Sequence, residues 1–188
     1  QANAHGLARY ASLSQEAGLV PIVEPEVLID GNHTIDIDQE VTLKTLLSVY
    51  EVLDLYNVSL EGTLLKPNMV TSGSKNLNRA PAEEVAKRTV ETFHSSVPDS
   101  VPGIVFLSGG QPDDEATLNM HEIALFGQRN GAPWELSYSF GRGLQALPLS
   151  TWLGKKENIT AAQNAFIQRC ILTSAARQGK YSLTLEAS

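Results

Sequence analysis

A single cysteine, Cys170, is all this chain has, which excludes an intramolecular disulfide and a cysteine-built metal cluster and suits a reducing compartment. On its own, Cys170 reads as a small buried residue of a helix. Long apolar runs are missing as well. Nothing nears the ~20 consecutive apolar residues of a membrane span, so no membrane partner is expected. No charged segment leads into an apolar core at the N-terminus, so no secretory signal is visible. Positive charge is scarce: the formal net charge is -7, and without clustered Lys and Arg the surface is unsuited to sequence-independent nucleic-acid binding. The longest basic cluster, Lys155-Lys156, runs straight into Glu157 and reads as a solvated loop. His5, His33, His94 and His121 lack metal-ligand spacing, so no metal is expected. Walker-type loops, a Rossmann fingerprint and a Gly-x-Ser-x-Gly elbow are absent too.

What is present is a chain of 188 residues, 42% apolar, enough for one soluble globular unit with a real core. Helix and strand signals alternate along it. Ala2 to Ala17 has helix-forming composition with Leu7, Tyr10, Ala11 and Ala17 near helical spacing, and Gly18 is a natural stop. Leu19 to Val27 reads as a strand. After a turn at Asp30-Gly31-Asn32, a second helix is predicted from about Asp38 to Tyr56, with Val41, Leu46, Leu47, Tyr50 and Leu53 on one face. A strand carrying Lys66 follows, then a polar loop from Thr71 to Arg79. Pro81 ahead of Glu83 and Glu84 opens a third helix to about Ser95, with Val85, Thr89, Val90 and Phe93 inward. Ile104 to Leu107 is a short apolar strand, Asp113 to Leu125 a helix, and Trp134 to Phe140 a fourth strand. Leu144 to Gly179 is mostly helical, with breaks near Pro148 and Gly154. No linker or low-complexity tract interrupts residues 1–188, so a single domain is expected.

Short buried strands joined by helices imply parallel βαβ units with right-handed crossovers, and four such units are half of a (β/α)8 barrel. Catalytic residues of that fold sit at the C-terminal ends of strands. Here the four strand ends carry Glu24-Pro25-Glu26, Lys66-Pro67-Asn68, Ser108-Gly109-Gly110 and Ser139-Phe140-Gly141-Arg142. A doubly wound open sheet uses the same local pattern and stays as the alternative architecture.

Lys66 closes the β-like run Val58 to Leu65, among Leu64, Leu65 and Met69. Apolar surroundings penalise the charged form of a lysine and free its amine to attack a carbonyl as a Schiff-base nucleophile. A lysine that snorkels from a strand end with its stem on apolar neighbours satisfies the same residues. Glu24 and Glu26 lie two apart, so a regular strand would aim both at one face, where carboxylates can move protons for carbinolamine formation and dehydration. A solvated acidic turn around Pro25 is the other reading. Ser108-Gly109-Gly110 can expose backbone N–H groups to a phosphate, or be merely a tight turn, and Arg142 adds a guanidinium fork.

The run Leu60-Glu61-Gly62-Thr63-Leu64-Leu65-Lys66-Pro67-Asn68 resembles the active-site signature of class I fructose-bisphosphate aldolases. Leu19 to Val27, Phe106 to Gly110 and Leu136 to Arg142 resemble further segments of that family. The resemblance implies that Lys66 forms the imine with the ketose substrate, that Glu24 carries the main proton transfer, and that Glu26 supports it. It also implies a substrate-phosphate site of Ser108, Gly109, Gly110, Ser139, Gly141 and Arg142, with Phe140 in place of a frequent Tyr. No metal or other cofactor is implied, because the protonated imine is itself the electron sink.

The resemblance spans Ala8 to Tyr181 and only the later half of the family's subunit, which is about twice as long. It implies a fragment covering the last four βα units of the barrel, without the terminal Tyr typical of the family. An Asp, further lysines and an Arg of the earlier half are absent. The implied partners are a sugar phosphate substrate and, for the whole subunit, the copies of a homotetramer. The implied compartment is the cytoplasm, with a plastid or another organelle open. Two other functions compete: a Schiff-base barrel enzyme for a different phosphorylated sugar, and a non-catalytic role such as cytoskeletal or allergen-like binding.

Overall fold

The computed structural model describes residues 1–187; Ser188 lies outside the described residues. Its core is a four-stranded, wholly parallel sheet in chain order: β1 (Ile22–Val23), β2 (Leu64–Leu65), β3 (Gly103–Phe106) and β4 (Glu135–Tyr138). Register is fixed by Val23 opposite Leu65, Leu65 opposite Ile104, and Ile104 opposite Leu136. Among the described residues six α-helices flank it: α1 (Ala2–Glu16), α2 (Ile35–Leu55), α3 (Ala82–His94), α4 (Asp113–Arg129), α5 (Arg142–Trp152) and α6 (Ile159–Arg177). Successive strands that pair in sequence order, each followed by a helix, form one arc of a barrel wall and bring all four C-terminal strand ends to one rim.

β3 keeps its predicted length one residue earlier, while β1, β2 and β4 are shorter than predicted, and for β1 and β2 the reason is local. Pro21 and Pro25 supply no N–H, so regular pairing of β1 is confined to the two residues between Pro21 and Glu24. Glu24-Pro25-Glu26 therefore leaves the strand, and the period-two argument that aims both carboxylates at one face does not apply. A 3-10 turn at Leu60–Gly62 likewise shortens β2.

Helix α2 starts three residues before the predicted Asp38, because Thr34 caps it by accepting from the Ile37 N–H, and Asp36 and Asp38 then occupy the favourable first turn. Its predicted face needs correction: Leu46 and Leu53 are buried, but Val41 and Leu47 are exposed, and Thr42, Val49 and Val52 take the inner positions. Tyr10 of α1 is also exposed, where Ala4, Ala8 and Ala11 face inward. In α3 the predicted Val85, Thr89, Val90 and Phe93 are all buried. Pro148 does not break the last region; it sits inside α5, since its fixed φ is helical and only one amide bond is given up. The predicted break at Gly154 does occur, after Leu153 in the left-handed region. Cys170, expected buried, is partly exposed on α6.

Two apolar clusters hold the layers together. Leu65, Ile104 and Phe106 of the sheet pack with Val85, Val90 and Phe93 of α3 and Met120 and Ile123 of α4, with Phe93 and Phe106 stacked at 5.7 Å. Each such buried side chain contributes about 1.5–3 kcal/mol from desolvation alone. The second cluster seats α1 and α2 on β1 through Ala8, Ala11, Val23, Val49 and Leu53.

Candidate active site

Lys66 is the first residue past β2, and its backbone N–H donates to the Val23 carbonyl at 2.8 Å. That bond places Lys66 beside Glu24, the first residue past β1. The side chains meet: Lys66 Nζ lies 2.9 Å from Glu24 Oε1, with the lysine side chain 21% exposed and the carboxylate 45%. Beneath them Leu65 and Met69 are buried. A primary amine and a carboxylate in hydrogen-bond contact, at an accessible rim, can exchange a proton, and the free amine is a nucleophile toward a carbonyl.

Glu26 is exposed and, among the described residues, makes no ion pair. With Glu24 it borders a hollow of about 720 Å³ between α1 and α2, shared with Val41 and Lys44. The two glutamates thus share a hollow, while Glu24 alone of the two reaches Lys66.

Sequence reading gives no role to the polar residues that hold these groups, although Asn68 ends the strand-end motif. The Asn68 side chain, 7% exposed, accepts from the Val27 N–H at 3.1 Å and donates to Thr42 Oγ1 at 3.1 Å. Asp38, 3% exposed, accepts from the Thr71 N–H at 3.0 Å and lies 3.6 Å from His33 Nε2. Burial pushes the Asp38 carboxyl up to about 6, against the opposing pull of the Thr71 N–H and His33. Asp38 and Thr42, one helical turn apart on α2, share a face and grip the chain just beyond Lys66. The available signal was polar residues on the inward stripe of α2.

The remaining strand ends form a second group. Ser108 is buried, and Gly109 and Gly110 turn the chain with φ of 57° and 81°, a conformation glycine adopts without steric cost. Buried Gln111 holds this turn: its Nε2 donates to the Ser108 carbonyl at 3.1 Å, and its Oε1 accepts from Asn119 Nδ2 at 2.6 Å. Neither residue was singled out from the sequence. Ser139 follows β4 and is tied to β3 by its N–H to the Phe106 carbonyl at 2.8 Å. Gly141 is the N-cap of α5, Arg142 its first residue, and the Gly143 N–H donates to Ser108 Oγ at 3.4 Å. A Cβ placed on Gly110 would lie 3.6 Å from Arg142 Nη2 and 3.6 Å from Ile29 Cγ2. Arg142 therefore flanks the glycine turn, and the loop after β1 reaches the same spot. A glycine turn, a helix N-terminus and a guanidinium together suit an anion. Among the described residues, no group of three or more His, Cys, Asp or Glu is placed to hold a metal ion.

A family model described as fructose-bisphosphate aldolase class-I matches residues 1–188. The chain belongs to the class-I fructose-bisphosphate aldolase family. It is 48% identical over 180 residues to a fructose-bisphosphate aldolase of Dictyostelium discoideum, covering 96% of this chain and 50% of that protein. It is 52% identical to the cytosolic fructose-bisphosphate aldolase 6 of Arabidopsis thaliana, over 95% of this chain and 49% of that one. A solved fructose-bisphosphate aldolase of Plasmodium falciparum, in a ternary co-crystal with TRAP and a small-molecule inhibitor, superposes with a TM-score of 0.91 at 48% identity. That match covers 95% of this chain and 51% of the other. The chain spans about half the length of the curated relatives it matches. The family sets aside the open doubly wound sheet: these parallel βα units are those of an aldolase (β/α)8 barrel.

Proposed function

We propose that residues 1–188 are one domain, the C-terminal half of a barrel subunit that cleaves fructose 1,6-bisphosphate reversibly to dihydroxyacetone phosphate and glyceraldehyde 3-phosphate through a Schiff base on Lys66. The observation that carries the reading is the 2.9 Å contact between Lys66 Nζ and Glu24 at adjacent strand ends. The Lys66 amine attacks the C2 carbonyl, giving a carbinolamine. Glu24 delivers the proton with which the C2 hydroxyl leaves as water, and the iminium forms. As the C3–C4 bond breaks, its electron pair moves into the iminium and leaves an enamine, while the 4-hydroxyl proton passes to a base outside residues 1–188. The aldehyde departs. Protonation at C3 and hydrolysis of the imine, with Glu24 again moving protons, release dihydroxyacetone phosphate and restore the amine.

Ser108, Gly109, Gly110, Ser139, Gly141 and Arg142 hold one substrate phosphate in this reading, and Glu26 supports Glu24 from the neighbouring hollow. The place in metabolism is glycolysis or gluconeogenesis, the compartment the cytoplasm, and the whole subunit a homotetramer. Borohydride reduction of the whole subunit in the presence of dihydroxyacetone phosphate, followed by peptide mass mapping, tests the proposal. Label on Lys66 is the expected result; label elsewhere, or none, rejects it.

A further inference from the structure

We propose that Asn68 is a positioning residue for the imine chemistry, acting through Glu24 by fixing the Glu24-Pro25-Glu26 segment against Lys66; this rests on the Schiff-base reading above. The segment has little of its own to hold it. Pro25 has no N–H, and β1 ends at Val23. Two bonds bracket these three residues, and both come from the chain around Lys66: the Lys66 N–H on the Val23 carbonyl at 2.8 Å, and Asn68 Oδ1 on the Val27 N–H at 3.1 Å. The same three-residue stretch that carries the lysine therefore clasps the glutamate segment at both ends.

Asn68 is itself fixed. Its amide donates to Thr42 Oγ1 at 3.1 Å and to the Met69 carbonyl at 3.2 Å, with both Asn68 and Thr42 buried. Replacing it by an apolar residue would leave the Val27 N–H and the Thr42 hydroxyl without these partners. Burial and the two bonds of its amide hold Asn68 in place, and through it the Val27 end of the segment. A displacement of about 1 Å between reacting groups can cost on the order of 100-fold in rate, which is the scale of effect open to such a residue.

The test is a double-mutant cycle on the whole subunit with Asn68→Ala and Glu24→Gln, read as kcat and KM for fructose 1,6-bisphosphate alongside borohydride labelling of Lys66. Asn68→Ala is expected to lower kcat about 10- to 100-fold with KM within about twofold. In the Glu24→Gln background the same change should cost less than about threefold, because the group it positions is already disabled. Thr42→Val, 26 residues from Asn68 in sequence and nearly isosteric, should show a smaller loss with the same non-additivity, and Thr42→Ser should recover most of the activity. That pair carries the test if Asn68→Ala does not fold. A labelled Lys66 combined with additive losses overturns the positioning role alone. Absence of Lys66 label overturns the Schiff-base reading and this inference with it, and an unaltered kcat in both Asn68→Ala and Thr42→Val also rejects the inference.

Discussion

In the proposed reaction, the ends of β1 and β2 and the ends of β3 and β4 solve different problems with different materials. At the first pair the proposed reacting atoms are side-chain atoms, Lys66 Nζ and Glu24 Oε1, braced by the buried side chains of Asn68, Thr42 and Asp38. At the second pair the frame is largely backbone: the Ser108-Gly109-Gly110 turn and the first residues of α5, with Arg142 alongside. Bond making needs two named groups at one distance, so it concentrates in a few irreplaceable side chains. Holding a multiply charged oxyanion spreads over many donors, each of which contributes a part. The first region should therefore fail all at once and the second by degrees.

The largest effect removes support from both regions together. Among the described residues, β1 and β4 each have a hydrogen-bonded neighbour on one side only. Leu19, Val20 and Ile22 lie exposed around β1, and Leu149, Trp152, Ile167 and Ile171 are exposed on α5 and α6. Open strand edges and apolar faces of this kind promote association. Residues 1–188 expressed alone should aggregate or dimerise and show no fructose 1,6-bisphosphate cleavage. A sharp cooperative unfolding transition for a species monomeric by ultracentrifugation, together with measurable cleavage, would falsify the half-barrel reading.

In the whole subunit, Lys66→Met should abolish cleavage and borohydride labelling, since the covalent route is gone. Glu24→Gln should slow turnover by about 10²- to 10⁴-fold while leaving some imine formation. Turnover near wild type for Glu24→Gln would move the proton transfer to Glu26 or to a group beyond this chain. Arg142→Ala probes the graded region. It should weaken binding of the bisphosphate more than that of a non-phosphorylated analogue, with a difference of about 1.5–3 kcal/mol, the contribution of a charge-assisted hydrogen bond. Equal losses for both ligands in titration calorimetry would assign Arg142 to structure instead.

The two regions also differed in how legible they were. Strand order, the four strand-end motifs and the inward face of α3 could all be read, because apolar runs and local periodicity carry them. The Lys66 region was legible as a signature that ends in Asn68, yet the pairings that brace it were not. Asn68 and Thr42 are 26 residues apart, and Thr71 and Asp38 are 33 apart. Each is an ordinary polar residue until the fold pairs them. Gln111 and Asn119, eight apart, escaped for the same reason. Local misreadings had local causes: the Thr34 cap moved the start of α2, and two prolines, spaced around Ile22 and Val23, cut β1 to a pair of residues.

A last prediction sharpens the comparison from the bracing side, through Asp38. Its carboxyl is held at about 6 in the folded chain against 3.8 as a free group, chiefly because burial penalises the charge. Between these values the folded state keeps a proton that the unfolded chain has lost, so unfolding releases a proton and stability falls as pH rises. The contribution is whole below about pH 4, declines through the window and is gone above about pH 6. A shift of roughly two units limits its size to about 3 kcal/mol. Asp38→Asn removes the titration while keeping an oxygen to accept the Thr71 N–H. Relative to wild type, the variant should therefore gain stability as pH rises from about 4 to 7. Urea unfolding of both proteins across that range measures the gap directly. A gap constant with pH would mean that the Asp38 proton is not linked to folding, and that α2 braces the Lys66 region through Thr42 without help from a titrating carboxyl.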